Sequence, residues 1–72
     1  MQIADFQQGD YFCEASFDLD ELLWIFREID ASYCDWKLQR QFNHASDLMN
    51  FIRNHCPMAF VDDVREAIYG TQ

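Results

Sequence analysis

The segment IADFQQGDYFCEASF, residues 3–17, contains two short apolar runs on either side of a polar turn. The second run has the period of a β-strand, because its alternate residues are mainly apolar: Tyr11, Cys13, Ala15 and Phe17. The turn supplies a glycine and an aspartate, residue types that favour tight reversals of the chain. We therefore expect residues 3–6 and 11–17 to form a β-hairpin, with Phe12 as the one interruption of the alternation.

A helical pattern follows directly after the hairpin. Asp18 and Glu21 have the spacing of an acidic capping box, in which a carboxylate accepts the free backbone N–H groups at the start of a helix. The apolar residues that follow recur at helical spacing and form one stripe: Leu19, Leu22, Leu23, Phe26 and Ile29. We expect a helix that begins at Asp18, with an opposite face that carries Asp20, Glu21, Trp24 and Glu28.

A third strand and two further helices are predicted in the rest of the chain. After Ala31 and Ser32 the period changes from helical to two, with these residues on one face: Cys34, Trp36, Leu38 and Phe42. Polar residues then precede a helical stripe that ends before Pro57: Leu48, Phe51, Ile52 and His55. Gly70 provides the stop of a last amphipathic helix, whose apolar positions are Phe60, Val61, Val64, Ala67 and Ile68.

These elements have the order ββαβαα and predict an α+β fold. A small antiparallel sheet, made of the hairpin and the third strand, is covered by three helices. Residues 1–72 contain no repeat and no Gly/Ser/Pro-rich linker, so we expect one compact domain. A domain of this size is too small to hold a deep active-site cavity beside its own core. The alternative is a small all-α bundle, because strand patterns this short are ambiguous.

The chain is strongly acidic, and its charge is unevenly distributed. It has 13 Asp and Glu against 5 Lys and Arg, a formal net charge of −8. Residues 1–36 contain nine of the acids and a single base, Arg27, so the whole net charge belongs to them. Such a field repels nucleic-acid phosphates and steers association with basic protein surfaces, so we expect no direct nucleic-acid binding. The alternative is that the acids only keep an aromatic-rich protein soluble.

Few residues have the spacing that catalysis or metal binding requires. Cys13, Cys34 and Cys56 are odd in number and far apart, which predicts reduced thiols rather than a disulfide framework. His55 and Cys56 are sequence neighbours, a poor arrangement for a catalytic pair, and the close Cys or His pairs of small zinc domains are missing. We predict no enzyme activity, no metal and no cofactor. The sequence shows no signal peptide and no long apolar run, so we expect a cytoplasmic protein without membrane contact.

The acidic face of the first predicted helix is the candidate binding surface. There Trp24 offers apolar area and cation–π attraction to Arg or Lys side chains of a partner, while the carboxylates steer the encounter. The predicted contact residues are Asp18, Asp20, Glu21, Trp24 and Glu28. The alternative is that the Trp24 indole folds down over the open face of the hairpin, which leaves no such patch.

The sequence therefore predicts a small non-enzymatic inhibitor or adaptor that binds a basic surface of a larger protein. If that surface normally holds DNA or RNA, rows of carboxylates can occupy its phosphate sites. In this general character the chain resembles the small acidic antagonist proteins that phages and mobile elements encode, including some anti-CRISPR proteins. The alternative is a homo-oligomer in which acidity serves solubility and the last helix supplies the self-interface through Met58, Phe60, Val61 and Ile68.

Overall fold

The computed structural model describes residues 1–30 and 36–70. It has an α+β fold with a four-stranded antiparallel sheet followed by two helices, so the α+β prediction is confirmed and the all-α alternative is wrong. The elements in chain order are β1 (Gln2–Gln8), β2 (Tyr11–Asp18), β3 (Leu23–Asp30), β4 (Leu38–Phe42), α1 (Ala45–His55) and α2 (Met58–Tyr69). Within these ranges the order is ββββαα, so the predicted order ββαβαα with three helices is wrong.

The predicted β-hairpin is confirmed as β1 and β2. The two strands pair antiparallel along most of their length, with one irregularity near the start of β1. Gly9 lies in the turn between them with a φ of +59°, a conformation that L side chains rarely adopt. A glycine at this position therefore allows the tight reversal that closes the hairpin.

The helix predicted from Asp18 is wrong, because the chain forms strand β3 there. β3 pairs antiparallel with β2 on one side and with β4 on the other, so the sheet has the order β1-β2-β3-β4. Asp18 does accept backbone N–H groups as a capping residue would, at 2.9 Å from Asp20 and 3.0 Å from Glu21. Those bonds close the loop between β2 and β3, since Asp side chains make the same bonds in turns as at helix starts.

The third predicted strand is the fourth strand of the structure, β4. It is shorter than predicted, Leu38–Phe42, and the predicted strand residue Cys34 lies outside the described residues. Its two end residues pack against the core, as predicted. Trp36 precedes the strand and lies over Arg27, on the other side of the sheet from the core.

Both helices predicted in the C-terminal half of the chain are confirmed. α1 begins after His44 and ends before Cys56, and α2 begins directly after Pro57. Gly70 has a φ of +78° and donates its backbone N–H to the carbonyl of Glu66 at 2.7 Å. This glycine ends α2, as the sequence predicts.

The core lies between the sheet and the two helices. α1 contacts β3 and β4, and α2 contacts β1. The ring of Phe26 in β3 lies 5.3 Å from that of Phe51 in α1 and 6.2 Å from that of Phe60 in α2. Phe26 and Phe60 are fully buried, and so are Cys13, Ala15, Leu48, Ile52, Val61 and Val64. Neither helix in the described part of the chain is long and apolar enough to cross a membrane.

Candidate protein-binding surface

The second face of the sheet is not covered by a helix within residues 1–30 and 36–70. Strand alternation places there the residues between the buried positions of β2 and β3. We call this surface the open sheet face and define it by Phe12, Glu14, Ser16, Leu23, Ile25, Arg27, Ile29 and Trp36. Its apolar side chains are partly buried and lie mainly on the two central strands. The edge strands beside them present exposed polar residues: Asp5, Gln7, Gln39 and Gln41.

An ion pair crosses the middle of the open sheet face. Arg27 Nη2 lies 2.7 Å from Glu14 Oε2 on the neighbouring strand, and Arg27 Nε donates to the same oxygen at 3.2 Å. The guanidinium carbon of Arg27 also lies 4.2 Å from the centre of the Trp36 ring, a cation–π contact. The Trp36 ring is in turn 6.1 Å from the ring of Phe12. Arg27 is therefore held between a carboxylate and an aromatic ring.

The loop between β2 and β3 forms one end of the open sheet face. It is closed by Asp18, whose carboxylate binds the backbone N–H groups of Asp20 and Glu21 and whose carbonyl accepts the N–H of Leu22 at 2.8 Å. Leu19 and Leu22 are 66% and 64% exposed. Leu22 has a φ of +58°, in the left-handed region where side chains other than glycine are strained. The loop thus presents two apolar side chains among three carboxylates.

A pocket of about 400 Å³ lies where this loop meets the sheet. Met1, Leu19 and Ile25 give it apolar walls. Asp18 and Asp20 line the same pocket with carboxylates. A lining of this kind suits a Lys or Arg side chain, which has an apolar stem and a charged head.

Trp24 and Glu28 do not share an exposed face with the loop acids, so their predicted placement on one acidic helix face is wrong. Both lie on the helix-covered face of β3, in register with buried or core-facing residues of β2. Trp24 is partly buried, and its ring lies 4.5 Å from that of Phe17 in the hairpin. The indole thus packs against the hairpin, on the helix-covered face of the sheet rather than on its open face. Glu28 is only 6% exposed.

Glu28 belongs to a polar network beneath helix α1. Its Oε1 accepts a hydrogen bond from the Tyr11 hydroxyl at 3.0 Å and lies 2.7 Å from His55 Nε2. The His55 ring stacks on the ring of Phe51, with 4.9 Å between their centres. Burial, helped by hydrogen bonds, raises the pKa of Tyr11 above its ordinary value. The network satisfies a buried carboxylate and so contributes to the fold.

Two thiols lie beside this network. Cys13 is fully buried and is the strand partner of Glu28, while Cys56 is partly buried and packs against the same core. Both are free thiols. The hydrogen bond from the Cys56 thiol lowers the pKa of Cys13, and burial opposes that shift. The same hydrogen bond, together with burial, raises the pKa of Cys56.

The exposure of Leu19 and Leu22 is not predicted from the sequence, because their spacing fits a helical stripe. The signal that could have found them is the composition of residues 24–29, WIFREI, which is rich in aromatic and β-branched side chains. Those residue types favour a strand. With a strand at that position, the preceding leucines fall in the connection to β2.

No three His, Cys, Asp or Glu side chains in the described ranges are placed to hold a metal ion. No protein-family model, no curated protein and no solved structure matches the chain. The function is therefore inferred from the surface chemistry of the chain itself.

Proposed function

We propose that this protein is a small non-enzymatic binding module whose open sheet face and β2–β3 loop engage a basic surface of a larger protein. The observation that carries the proposal is the exposure of two leucines among three carboxylates in that loop. The loop adjoins a sheet face that the described helices leave uncovered. Apolar and aromatic area surrounded by polar groups is the usual composition of a protein interface.

Strand β3 supports the proposal because both of its faces carry apolar side chains. Trp24 and Phe26 contact the core, while Leu23, Ile25 and Ile29 lie on the open sheet face. A strand with one face in water normally alternates apolar and polar residues, whereas a strand covered on both faces is apolar nearly throughout. The first half of β3, residues 23–26, therefore has the composition of a strand with two covers, and we assign the second cover to the partner.

Leu22 adds an energetic argument. Its left-handed backbone costs roughly 1–2 kcal/mol for an L residue, a cost that Gly or Asn largely avoids. The side chain is 64% exposed, so packing inside the chain does little to offset that cost. A strained, exposed leucine is better explained by contact with a partner than by folding.

A basic protein surface fits the charge of this region. Asp18, Asp20 and Glu21 lie in the loop, and the one base of the N-terminal half, Arg27, is paired with Glu14. The field of these carboxylates attracts Lys-rich and Arg-rich surfaces and repels phosphates. Where such a basic surface serves to bind DNA or RNA, the carboxylates compete for its phosphate sites, and the module acts as an inhibitor.

The apolar stripe predicted for a self-interface on α2 is largely used inside the chain. Phe60 and Val61 are fully buried, and Ile68 packs in part against the core. Of that stripe, Met58 alone is mainly exposed, at 56%. Because these positions of α2 offer little exposed apolar surface, we favour partner binding through the open sheet face over self-association through α2.

Affinity capture at two salt concentrations tests the proposal. The tagged protein is used to capture proteins from nuclease-treated lysate of cells that naturally contain it, at about 0.05 M and about 0.5 M salt, where the Debye length is roughly 14 Å and 4 Å. We expect one basic protein that is retained at low salt and lost at high salt. The variant Leu19→Ser/Leu22→Asn should lose that protein.

The matched control is Met58→Ser, which removes an exposed apolar side chain from the helical side and should retain the partner. Equal capture by all three forms would contradict the proposal, and so would a partner held equally at both salt concentrations. A discrete homo-oligomer that salt strengthens, with no captured protein, would support self-association.

A further inference from the structure

The fold places two thiols that are distant in sequence near the same buried carboxylate, that of Glu28. Cys13 lies in the middle of β2 and is fully buried, and Cys56 follows the last residue of α1 and is partly buried. Glu28 links the two positions: it is the strand partner of Cys13, and it bonds to His55, the residue before Cys56. Both cysteines also pack in the same core cluster.

We propose that Cys13 and Cys56 form an oxidation site at which a hydroperoxide converts the two thiols into an intramolecular disulfide. The bond ties the centre of β2 to the junction between α1 and α2. Cys56 has an extended backbone at that junction, with φ −117° and ψ 160°, and its partial exposure admits a small oxidant. The site lies on the helix-covered side of the sheet and does not depend on the proposed partner-binding surface.

The reaction has two steps and consumes one hydroperoxide. The pair of thiols first loses one proton. The remaining proton then passes from Cys56 to Cys13, and the Cys56 sulfur attacks the peroxide. This attack forms an S–O bond and breaks the O–O bond. With hydrogen peroxide, the departing hydroxide takes a proton and leaves as water. The Cys13 sulfur then attacks the sulfenic acid on Cys56, and its proton leaves with the hydroxyl as a second water. The two sulfurs together supply the two electrons that reduce the peroxide.

The surroundings of the two sulfurs favour the loss of the first proton from Cys13, although they raise the pKa of Cys56, the attacking sulfur. Thiolates rather than thiols react with peroxides. The hydrogen bond from Cys56, with a smaller contribution from Tyr11, lowers the pKa of Cys13, although burial and the nearby Glu28 charge oppose the shift. The pair therefore gives up one proton more readily than an isolated buried thiol.

The Cys34→Ser variant leaves this pair as the only thiols and allows a direct test. The folded variant is treated with one equivalent of hydrogen peroxide, and its intact mass is followed. We expect a monomer lighter by the two thiol hydrogens, a peptide map that joins residues 13 and 56, and full reversal by dithiothreitol. The disulfide should form at least tenfold faster in the folded variant than in urea.

The variant Cys34→Ser/Cys56→Ser keeps Cys13 alone and should not lose the two hydrogens; circular dichroism confirms that both variants fold. In the unsubstituted chain the map should again join residues 13 and 56. Oxygen adducts without hydrogen loss, disulfide-linked dimers, a link to Cys34 or an equal rate in urea would each overturn the proposal.

Discussion

At the scale of single residues, Leu22 is the position where the needs of folding and of binding differ most. Its φ of +58° is one that Asn adopts more readily than Leu. We expect Leu22→Asn to raise the free energy of unfolding by about 1 kcal/mol, because the strain is relieved and little packing is lost. Urea unfolding measures this change. Leu19→Asn, at an equally exposed position without positive φ, serves as control and should give no gain.

A loss of stability in Leu22→Asn would show that the Leu22 side chain packs within the chain. The exposure of Leu22 would then no longer indicate contact with a partner. The proposed loop would keep its carboxylates, but the apolar half of the interface would have to come from the open sheet face alone.

Glu28 has a structural role at the same scale. Glu28→Ala leaves the Tyr11 hydroxyl and the His55 ring without their shared acceptor, which should cost about 2–3 kcal/mol. Glu28→Gln keeps a carbonyl oxygen at this position and should cost clearly less. Urea unfolding of both variants checks the prediction, and a cost below about 0.5 kcal/mol for Glu28→Ala would mean that the network adds little to stability.

At the scale of elements, the β2–β3 loop depends on one carboxylate. Asp18→Ala removes the acceptor of two backbone N–H groups and should lower the free energy of unfolding by about 1 kcal/mol, the usual cost of losing such a cap. Asp18→Asn keeps the acceptor oxygen and should cost far less. Thermal unfolding of the two variants separates the effect of the hydrogen bonds from the effect of the charge. If both variants were as stable as the unsubstituted chain, the loop would hold its shape without the Asp18 carboxylate.

The hairpin and both helices could be predicted from the sequence because each shows a one-sided apolar pattern. In α1 and α2 the apolar residues recur at helical spacing, and Pro57 and Gly70 mark the boundaries. In β2 the alternation of Cys13 and Ala15 with Glu14 and Ser16 marks a strand with one face on the core. Such a pattern can be recognised within one segment of the sequence, without knowing which strand or helix packs against it.

Strand β3 could not be predicted in the same way, because its second face is apolar too. Leu23, Phe26 and Ile29 come from opposite faces of the strand, yet their spacing of three fits a helix. The capping pattern at Asp18 strengthened the helical interpretation, since turns and helix starts use the same side-chain bond. The sequence thus predicted the carboxylates of the β2–β3 loop as part of the candidate surface. The apolar side chains of that surface could be identified only in the structure.

At the scale of the whole molecule, the net charge of −8 should destabilise the folded state through self-repulsion. Added salt screens this repulsion, so we expect the melting temperature to rise by a few degrees between about 0.02 M and 0.2 M sodium chloride. Calorimetry at fixed pH measures the shift. A melting temperature that falls over this range would indicate that ion pairs such as Arg27 with Glu14 outweigh the repulsion.

The affinity of two matched charge variants for the captured basic partner tests whether the β2–β3 loop is the binding surface. Asp18→Asn/Asp20→Asn/Glu21→Gln neutralises the loop, and Asp62→Asn/Asp63→Asn/Glu66→Gln removes three exposed carboxylates from α2. Both have the same net charge, so any difference reports position. We predict that the loop variant binds at least tenfold more weakly than the α2 variant in isothermal titration, a difference of about 1.4 kcal/mol. Equal affinities would contradict the claim that the β2–β3 loop is the binding surface.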